Sequence, residues 1–419
     1  MAAQTPTTMK AIQVLGPKTS PVVTINPAHP LPGPLPKTTH HNDNNNNNPD
    51  NNDPNTQEEA EKDSITNTLL IRVHAAGLTA DELSWPELYD NPTRIPGCEI
   101  SGVIAALPSS SASFTTNPLN LKVNDPVYAM LPATHGSGQA EYVRARPGDV
   151  ALLPGTRGPD QRSLITHAQA AALPIPVLTA WEGLFTHAVP LLADSLQRRP
   201  ALQTGERHKV RVLVTGASGA VGRMVVQLAR RRLAGALQSA LASQSNSSSA
   251  AGESNTETEI EIEILALASP QHHLTLHRLG ATHTIDYHNP NWPTTSPLSQ
   301  APSVDLVFDT ASPQTLTQSW PTLLPDGVLL TISDPPPKWA FDKSVTPDEV
   351  APGTGREGVR YVYFIVSPNG PVLGEVAGML ERGELEGVPV VEFGVDEGVE
   401  AWRWAGERGR GGKGVVVFA

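Results

Sequence analysis

The feature that most constrains the fold is the segment at residues 210–230, which reads VRVLVTGASGAVGRMVVQLAR. An apolar run leads into a glycine-rich turn that opens directly into an amphipathic pattern, which predicts a buried strand followed by a helix. Gly216, Gly219 and Gly222 have the spacing that supplies a tight turn, close approach of backbone to phosphate and close packing of helix on strand. Because the first amides of that helix are free and its dipole is positive there, the segment predicts a dinucleotide pyrophosphate site.

Length and charge narrow the class of protein and its partners. A chain of 419 residues exceeds one typical domain, which favours two domains. It has 42 acidic and 30 basic residues, a formal charge of -12 and no long basic run, so we expect no nucleic-acid partner. The single cysteine, Cys98, excludes an intramolecular disulfide and favours a reducing compartment.

The N-terminal segment has neither an apolar signal core nor an arginine-rich import pattern, since the first arginine is Arg72. No apolar run approaches the length of a membrane span. We therefore expect a cytoplasmic protein with no membrane partner.

Two polar segments interrupt otherwise regular patterning. Residues 38–64 hold an asparagine-rich run, and residues 237–259 are rich in serine, asparagine and glutamate, so we expect two exposed, disordered insertions. The helix after Gly222 is expected to end near Ala234. Strands and turns dominate before the glycine turn, whereas strand and helix alternate after it. This alternation predicts an α/β fold with parallel strands and crossover helices.

Several phrases, in this order, resemble the medium-chain dehydrogenase/reductase superfamily, and within it the zinc-free branch of quinone oxidoreductases and enoyl reductases. They include MKAIQVLGP, LLIRVHAAGLTADEL, IPGCEISGVI, AAALPIPVLTAW, the glycine turn, LGATHTIDY, VDLVFDTAS and GGKGVVVF. The resemblance implies a GroES-like β-rich catalytic domain over 9–178, a Rossmann NAD(P)-binding domain over 179–367 and a return to the catalytic domain over 368–419. The active site is then expected in the cleft between them, at the carboxyl ends of the parallel strands.

The positions that bind zinc in other members of this family argue against the metal here. The resemblance places Thr79 where zinc members have cysteine, and Cys98 where they have histidine. Threonine is a poor zinc ligand, and Cys98 with Glu99 falls short of three protein ligands, so we expect no zinc. The histidine pairs at 40–41 and 272–273 are expected to be exposed side chains and not metal ligands.

Cofactor preference is read at the end of the second Rossmann strand, where an acid binds the ribose hydroxyls of NAD. This strand ends in Ala268 and Ser269 without an acid, which favours NADP, with NAD as the alternative. His272 stands where NADP-dependent relatives often have lysine, and Arg278 is the nearest permanent cation in the sequence. Lys413 is either a cation that faces the cofactor or a solvated turn residue.

The resemblance implies further cofactor contacts around the turn and the strand ends. Thr179 matches the position that touches the nicotinamide carboxamide, and its alternative role is a helix N-cap. The others have core or loop roles as alternatives. The predicted cofactor-binding residues are Thr179, Gly216, Ser218, Gly219, Ala220, Val221, Gly222, Ser269, His272, Tyr287, Asp309, Thr310, Ser333, Phe364, Val366 and Lys413.

Without a metal, the substrate must already be electrophilic, such as an enone, an enoyl thioester or a quinone. Hydride from NADPH would attack the β-carbon, and a donor would protonate the resulting enolate. Tyr89 is the first candidate donor, with surface packing as its alternative role. Thr79 is the candidate for bonding the oxyanion, and Glu82 is a third catalytic candidate whose alternative role is to hold its loop.

Two other functions are compatible with the sequence. One is a protein that binds NADP(H) without catalysis, and the other, less favoured, is a zinc alcohol dehydrogenase. A homodimer is compatible with the sequence.

Overall fold

The computed structural model describes residues 6–33, 68–108, 120–156, 162–199, 207–245, 259–333, 335–342, 344–407 and 409–418. The chain divides into two compact units. The first unit is built from Met1–Ile175, Ser367–Gly383 and Gly387–Ala419, and the second from Pro176–Val366 and Glu384–Glu386. The first unit is thus assembled from both ends of the chain, and three residues of the C-terminal segment belong to the second.

The strands of the described residues are β1 (Thr8–Leu15), β2 (Val22–Pro30), β3 (Leu69–Gly77), β4 (Glu99–Ala106), β5 (Pro126–Met130), β6 (Tyr142–Ala145), β7 (Val150–Leu152), β8 (His208–Val214), β9 (Ile260–Leu267), β10 (His283–Ile285), β11 (Val304–Asp309), β12 (Leu323–Thr331), β13 (Arg360–Tyr363), β14 (Val390–Gly394) and β15 (Lys413–Val417).

The α-helices of the described residues are α1 (Pro86–Asp90), α2 (His167–Ala171), α3 (Pro174–Trp181), α4 (Val189–Arg198), α5 (Ala220–Leu228), α6 (Ala234–Ser245), α7 (His273–Leu279), α8 (Pro313–Ser319), α9 (Gly370–Glu381) and α10 (Gly398–Ala405). Two π-helical stretches, Glu182–Ala188 and Ala229–Leu233, join α3 to α4 and α5 to α6.

The first unit is β-rich. Its larger sheet has the order β14-β15-β3-β4-β5-β7, with β6 also paired to β3, and β1 pairs with β2 in a separate two-stranded sheet. In β3 the side chains of Leu69, Ile71 and Val73 alternate inward and are buried, as expected for a strand with one face on a core. The C-terminal strand β15 pairs with the early strand β3, which closes the unit from both ends of the chain.

The second unit is built on a six-stranded parallel sheet with the order β10-β9-β8-β11-β12-β13. All six residues of β11 are buried, as expected for a parallel strand covered on both faces. The order reverses beside β8, so β8 and β11 flank the switch point at which doubly wound sheets bind dinucleotides. The prediction of an α/β fold with a β-rich unit and a Rossmann sheet is confirmed.

The expected disordered insertion over 237–259 is wrong at its start, because α6 continues to Ser245. Leu237 is fully buried, which anchors the helix. The hydroxyls of Ser239 and Ser243 donate to the carbonyls of Gly235 and Ser239 at 2.9 and 2.8 Å, so these serines bond to their own helix. Residues 246–258 lie outside the described part of the chain, as do the insertion at 38–64 and the histidine pair at 40–41.

The helical run Pro174–Arg198 corrects the expectation that no apolar segment is long enough to span a membrane. It has 25 residues and a window with a mean hydropathy of 1.2, which meets the requirement by length and composition only. It is the one such helix in the described residues, and 61% of the window is buried inside the protein. The core helix of a soluble protein meets the same requirement, so the run is weak grounds for a membrane partner.

Candidate functional site: a phosphate turn in the second unit and a carboxylate cluster in the first

The glycine turn lies between β8 and α5 at the switch point of the parallel sheet. Gly216 has a φ of +61°, and a Cβ there would lie 2.6 Å from the hydroxyl oxygen of Thr310. A Cβ at Gly222 would lie 2.4 Å from the carbonyl oxygen of Gly216. Around Gly219, which is exposed, a Cβ would have only that carbonyl within 4 Å, at 3.2 Å. The first and third glycines are therefore required by packing, and the second leaves the backbone accessible.

The start of α5 has no side-chain cap. Its N-cap residue is Gly219, so the amides of Ala220 and Val221 have no capping side chain. Free amides at the positive end of a helix bind an anion. With the accessible backbone at Gly219, they fit the pyrophosphate of a nicotinamide dinucleotide.

A hydroxyl and carboxylate network braces the sheet behind this turn. The hydroxyls of Thr215 and Thr331 donate to the two carboxylate oxygens of Asp309, at 2.5 and 2.9 Å. The hydroxyl of Thr310 donates to the carbonyl of Thr215 at 2.8 Å. Burial raises the pKa of Asp309, against the hydrogen bonds that stabilise its charge. Asp309 and Thr310 thus tie together the ends of β8, β11 and β12.

Four other predicted cofactor contacts lie in the second unit, and the side chain of one of them, Ser333, has no polar partner in the described residues. Ser333 follows β12, and its buried hydroxyl has no hydrogen-bond partner among the described residues. Thr179 is buried inside α3, so its alternative role as an N-cap is wrong. Phe364 packs with its ring centroid 4.8 Å from that of His187 and 6.3 Å from that of Phe308, and Val366 is half-buried beyond the end of β13. The unpaired hydroxyl of Ser333 fits a ligand that supplies an acceptor.

The end of β9 adjoins the glycine turn, since the amide of Ala217 donates to the carbonyl of Leu267 at 3.2 Å. Just beyond, the hydroxyl of Ser269 donates to that of Tyr287 at 3.0 Å. Tyr287 is half-exposed and stacks on His288, and His272 is half-buried at the start of α7. The structure therefore gathers the predicted adenosine-end residues around the turn.

Arg278 is already ion-paired, because its guanidinium binds both carboxylate oxygens of Glu386, at 2.5 and 2.7 Å. Arg223, which the sequence patterns do not single out, lies in the first turn of α5. Its Nε donates to the carbonyl of Ser218, inside the glycine turn, at 2.9 Å. The available signal was its position directly after the third glycine.

In the first unit, Thr79, Glu82, Cys98, Glu99 and Lys413 form what we call the carboxylate cluster. The side chain of Glu99 is fully buried and makes an ion pair with Lys413, whose side chain is 9% exposed. Glu99 also accepts from the hydroxyl of Thr79 at 3.3 Å and from the amide of Ile175 at 2.9 Å. Lys413 is therefore not a solvated turn residue, since its ammonium group is paired with a buried carboxylate.

Glu82 is a buried carboxyl group whose two oxygens have different surroundings. One carboxylate oxygen accepts from the amide of Gly97 at 2.6 Å and from the thiol of Cys98 at 3.5 Å. The other oxygen is buried and has no partner among the described residues. Burial raises the pKa of Glu82 to about 7, with a smaller contribution from Glu99. Its contact with Gly97 is the loop-holding role, and its unpaired oxygen leaves a proton-carrying role open.

Cys98 and Tyr89 both keep their protons at neutral pH. Cys98 is buried, and burial followed by the charge of Glu82 raises its pKa well above the ordinary value of a thiol. Burial likewise raises the pKa of Tyr89, whose half-exposed side chain donates a hydrogen bond to the carbonyl of Leu83 at 2.8 Å. The hydroxyl of Tyr89 would have to leave Leu83 to donate elsewhere.

The residues at the zinc-equivalent positions do not fit a zinc site. Thr79 donates to Glu99, Cys98 carries a thiol proton, and the carboxylate of Glu99 is held by an ammonium group. Catalytic zinc requires three deprotonated or neutral ligands around one point. Within the described ranges, no group of three or more His, Cys, Asp or Glu side chains could hold a metal ion.

Comparison with known proteins agrees with this architecture. Residues 279–416 match a family described as zinc-binding dehydrogenase. A mitochondrial protein named probable zinc-binding oxidoreductase, from Arthroderma benhamiae, is 26% identical over 318 residues, which cover 75% of this chain and 77% of that protein. The quinone oxidoreductase of Coxiella burnetii has a similar fold, with a TM-score of 0.63 at 20% identity over 98% of this chain and 99% of that one. The CurK enoyl reductase gives 0.62 at 19% identity over 98% and 100%.

The fold, the phosphate turn and these matches together define the class: the chain is an NAD(P)H-dependent oxidoreductase, and it is similar to proteins of the medium-chain dehydrogenase/reductase superfamily. Within that superfamily its similarity is to quinone oxidoreductases and enoyl reductases, which confirms the resemblance seen in the sequence.

Proposed function

We propose that the protein is an NADPH-dependent, zinc-independent reductase of activated double bonds or quinones. The observation that carries the proposal is the uncapped start of α5 beside the accessible backbone of Gly219. The unpaired hydroxyl of Ser333 supports it. The preference for NADPH is supported by the end of β9, where Ala268 and Ser269 offer no carboxylate to a ribose.

Zinc independence is supported by the chemistry of the carboxylate cluster. The ammonium group of Lys413 already neutralises Glu99, the one anionic donor that the zinc-equivalent positions retain. A divalent cation would have to displace that ammonium group and deprotonate Cys98, whose pKa is raised. The substrate must then be electrophilic without help from a metal.

The chain's own groups would bind the cofactor and manage one proton. The amides at the start of α5 would hold the pyrophosphate, and Ser333 would donate to or accept from the nicotinamide end. A bound nicotinamide cofactor supplies hydride to the electrophilic carbon. Reduction of a conjugated double bond then needs one proton on the neighbouring carbon, for which Glu82 and Tyr89 are the candidate donors. Thr79 is the candidate for bonding the oxyanion.

The proposal predicts turnover of NADPH with electrophilic substrates and no metal. Purified protein, treated with a chelator and assayed for bound zinc, would be mixed with NADPH and a panel of enones, enoyl thioesters and quinones. We expect NADPH oxidation with at least one class, and less than stoichiometric zinc. Folded protein that binds NADPH but oxidises none of it would contradict the catalytic part, and stoichiometric zinc would contradict the metal-free part.

A second candidate function is NADP(H) binding without catalysis. It is favoured by the engagement of Tyr89 with the backbone of Leu83 and of Thr79 with Glu99. In that case Tyr89→Phe and wild type would bind NADPH equally and neither would oxidise it. Under the proposed reductase with Tyr89 as donor, the same variant would bind NADPH normally and turn it over more slowly.

A further inference from the structure

Arg223 places its guanidinium group at the rim of the glycine turn and uses only part of its hydrogen-bonding capacity there. The residue is half-buried, and its Nε donates to the carbonyl of Ser218 at 2.9 Å. Its two Nη atoms have no hydrogen-bond partner or ion pair among the residues that the structure describes. The Nε contact fixes the stem of the side chain, so the free edge of the guanidinium is available to a ligand.

The neighbours of Arg223 are the residues that close the end of β9. The turn is hydrogen-bonded to Leu267, and Ser269 follows two residues later. Burial lowers the pKa of the His272 imidazole, and the nearby charge of Arg223 lowers it further. Arg223 is therefore a permanent cation at this corner, while the imidazole of His272 is a weak one.

Other charged groups near this corner do not offer the same role. Arg278 faces Arg223 closely enough to help lower its pKa, but both of its terminal bonds go to Glu386. Glu386 has an opposing influence on the pKa of Arg223 and is itself held by Arg278. His273 is held at its Nε2 by the carbonyl of Ala268 at 3.0 Å. Arg223 is left as the cation without an acidic partner in contact.

We propose that Arg223 is the residue that selects NADP(H) over NAD(H), by binding the 2′-phosphate of the adenosine ribose together with Ser269 and His272. A guanidinium binds a phosphate through two parallel, charge-assisted hydrogen bonds, which a ribose hydroxyl cannot match. The inference rests on the proposed function, because it assigns a residue to the choice of its cofactor.

The test compares two ligand pairs that differ only in the 2′-phosphate. Dissociation constants of NADPH and NADH, and of adenosine 2′,5′-bisphosphate and 5′-AMP, would be measured by fluorescence and calorimetric titration for wild type, Arg223→Gln, Arg223→Lys and Arg278→Gln. For Arg223→Gln we expect NADPH and the bisphosphate to bind about 10- to 100-fold more weakly, with NADH and 5′-AMP changed less than about threefold. Arg223→Lys should restore part of the loss, and Arg278→Gln, which frees Glu386 near Arg223, should lower the preference less than Arg223→Gln does.

The outcomes separate this inference from the proposed function. Equal weakening of both members of each pair by Arg223→Gln would mean that Arg223 only braces the turn through Ser218, which overturns the inference. An unchanged preference would overturn it as well. Wild-type protein that binds neither dinucleotide would overturn the proposed function and this inference together, whereas selective NADPH binding by wild type that Arg223→Gln retains would overturn the inference alone.

Discussion

At the scale of single residues, Glu82 shows how burial sets a protonation state. Its neighbours offer one backbone amide, one thiol and a second carboxylate, and its other oxygen bonds to nothing in the described residues. Removal from water penalises the charged form more than these contacts stabilise it, so the pKa rises to about 7. Glu99, which is also buried, forms an ion pair with Lys413. The two glutamates thus differ in their partners, because Glu99 is the one that forms an ion pair with Lys413.

The raised pKa of Glu82 predicts a pH-dependent stability that Glu82→Gln removes. The folded state binds the proton of Glu82 more tightly than the unfolded chain does, so its contribution is complete below about pH 4.5 and is lost as the pH rises through about 7. The pKa rise corresponds to a loss of about 3 kcal/mol in the free energy of unfolding. Urea unfolding at several pH values should show wild type losing that much more than Glu82→Gln between about pH 4.5 and pH 8.

The control for this experiment is Glu261→Gln, which changes an exposed glutamate on β9. Its stability should follow that of wild type at every pH. Parallel pH profiles for wild type and Glu82→Gln would show that Glu82 titrates normally in the folded protein.

At the scale of elements, the turn between β8 and α5 depends on glycines for two separate reasons. Gly216 adopts a positive φ and meets Thr310, whereas Gly222 lies against the carbonyl of Gly216. A side chain at either position must move backbone or the Asp309 network. The site at this turn is therefore sensitive to a single added methyl group.

Gly222→Ala should lower both stability and NADPH affinity. Its Cβ would sit 2.4 Å from a backbone oxygen, so α5 must shift away from the turn. We expect a loss of about 1–3 kcal/mol in the free energy of unfolding. Gly235→Ala is the matched control, since no atom lies within 4 Å of its Cβ and it is exposed on α6. That variant should gain up to about 1 kcal/mol and bind NADPH as wild type does.

The measurements are thermal or urea unfolding and NADPH titration of both variants. If Gly222→Ala matched Gly235→Ala in both, the close packing of helix on turn would not limit the site.

Features encoded by local spacing could be predicted from the sequence. The glycine turn and the parallel strands are set by residues close together in the sequence, and both lie where they were expected. The absence of an acid just after β9 can be read from the sequence directly. The partners of Arg278, Lys413 and Glu99 could not be predicted, since each ion pair joins residues separated by at least 108 positions. The extension of α6 to Ser245 could not be predicted either. Its serines are typical of loops, but in the folded chain their hydroxyls bond to carbonyls of the same helix.

At the scale of the whole molecule, the first unit depends on the last strand of the chain. β15 lies between β14 and β3, and Val416 on it is fully buried in the core of that sheet. Val416→Asp should therefore destabilise the first unit by at least about 3 kcal/mol, because it buries an unpaired charge. Glu392→Gln, on the exposed side of β14, should stay within about 0.5 kcal/mol of wild type.

Urea unfolding followed by circular dichroism would measure both variants, and NADPH titration would report separately on the second unit. An unchanged unfolding midpoint for Val416→Asp would contradict the central position of β15. Loss of NADPH binding by Val416→Asp at concentrations of urea where the second unit is still folded would contradict the division of roles.

The second unit also includes Glu384–Glu386, a short piece of the C-terminal segment. This affects how the unit can be transferred to another protein. Glu384 binds Arg232, and Glu386 binds Arg278 through its carboxylate and Gln227 through its backbone amide. An uninterrupted graft of 176–366 into another protein would leave these three side chains without their partners. It would also release the guanidinium of Arg278 beside Arg223, adding a second free cation to the corner where we propose that the adenosine ribose binds. A chimaera built at the obvious boundary would inherit the phosphate turn with an altered charge at its rim.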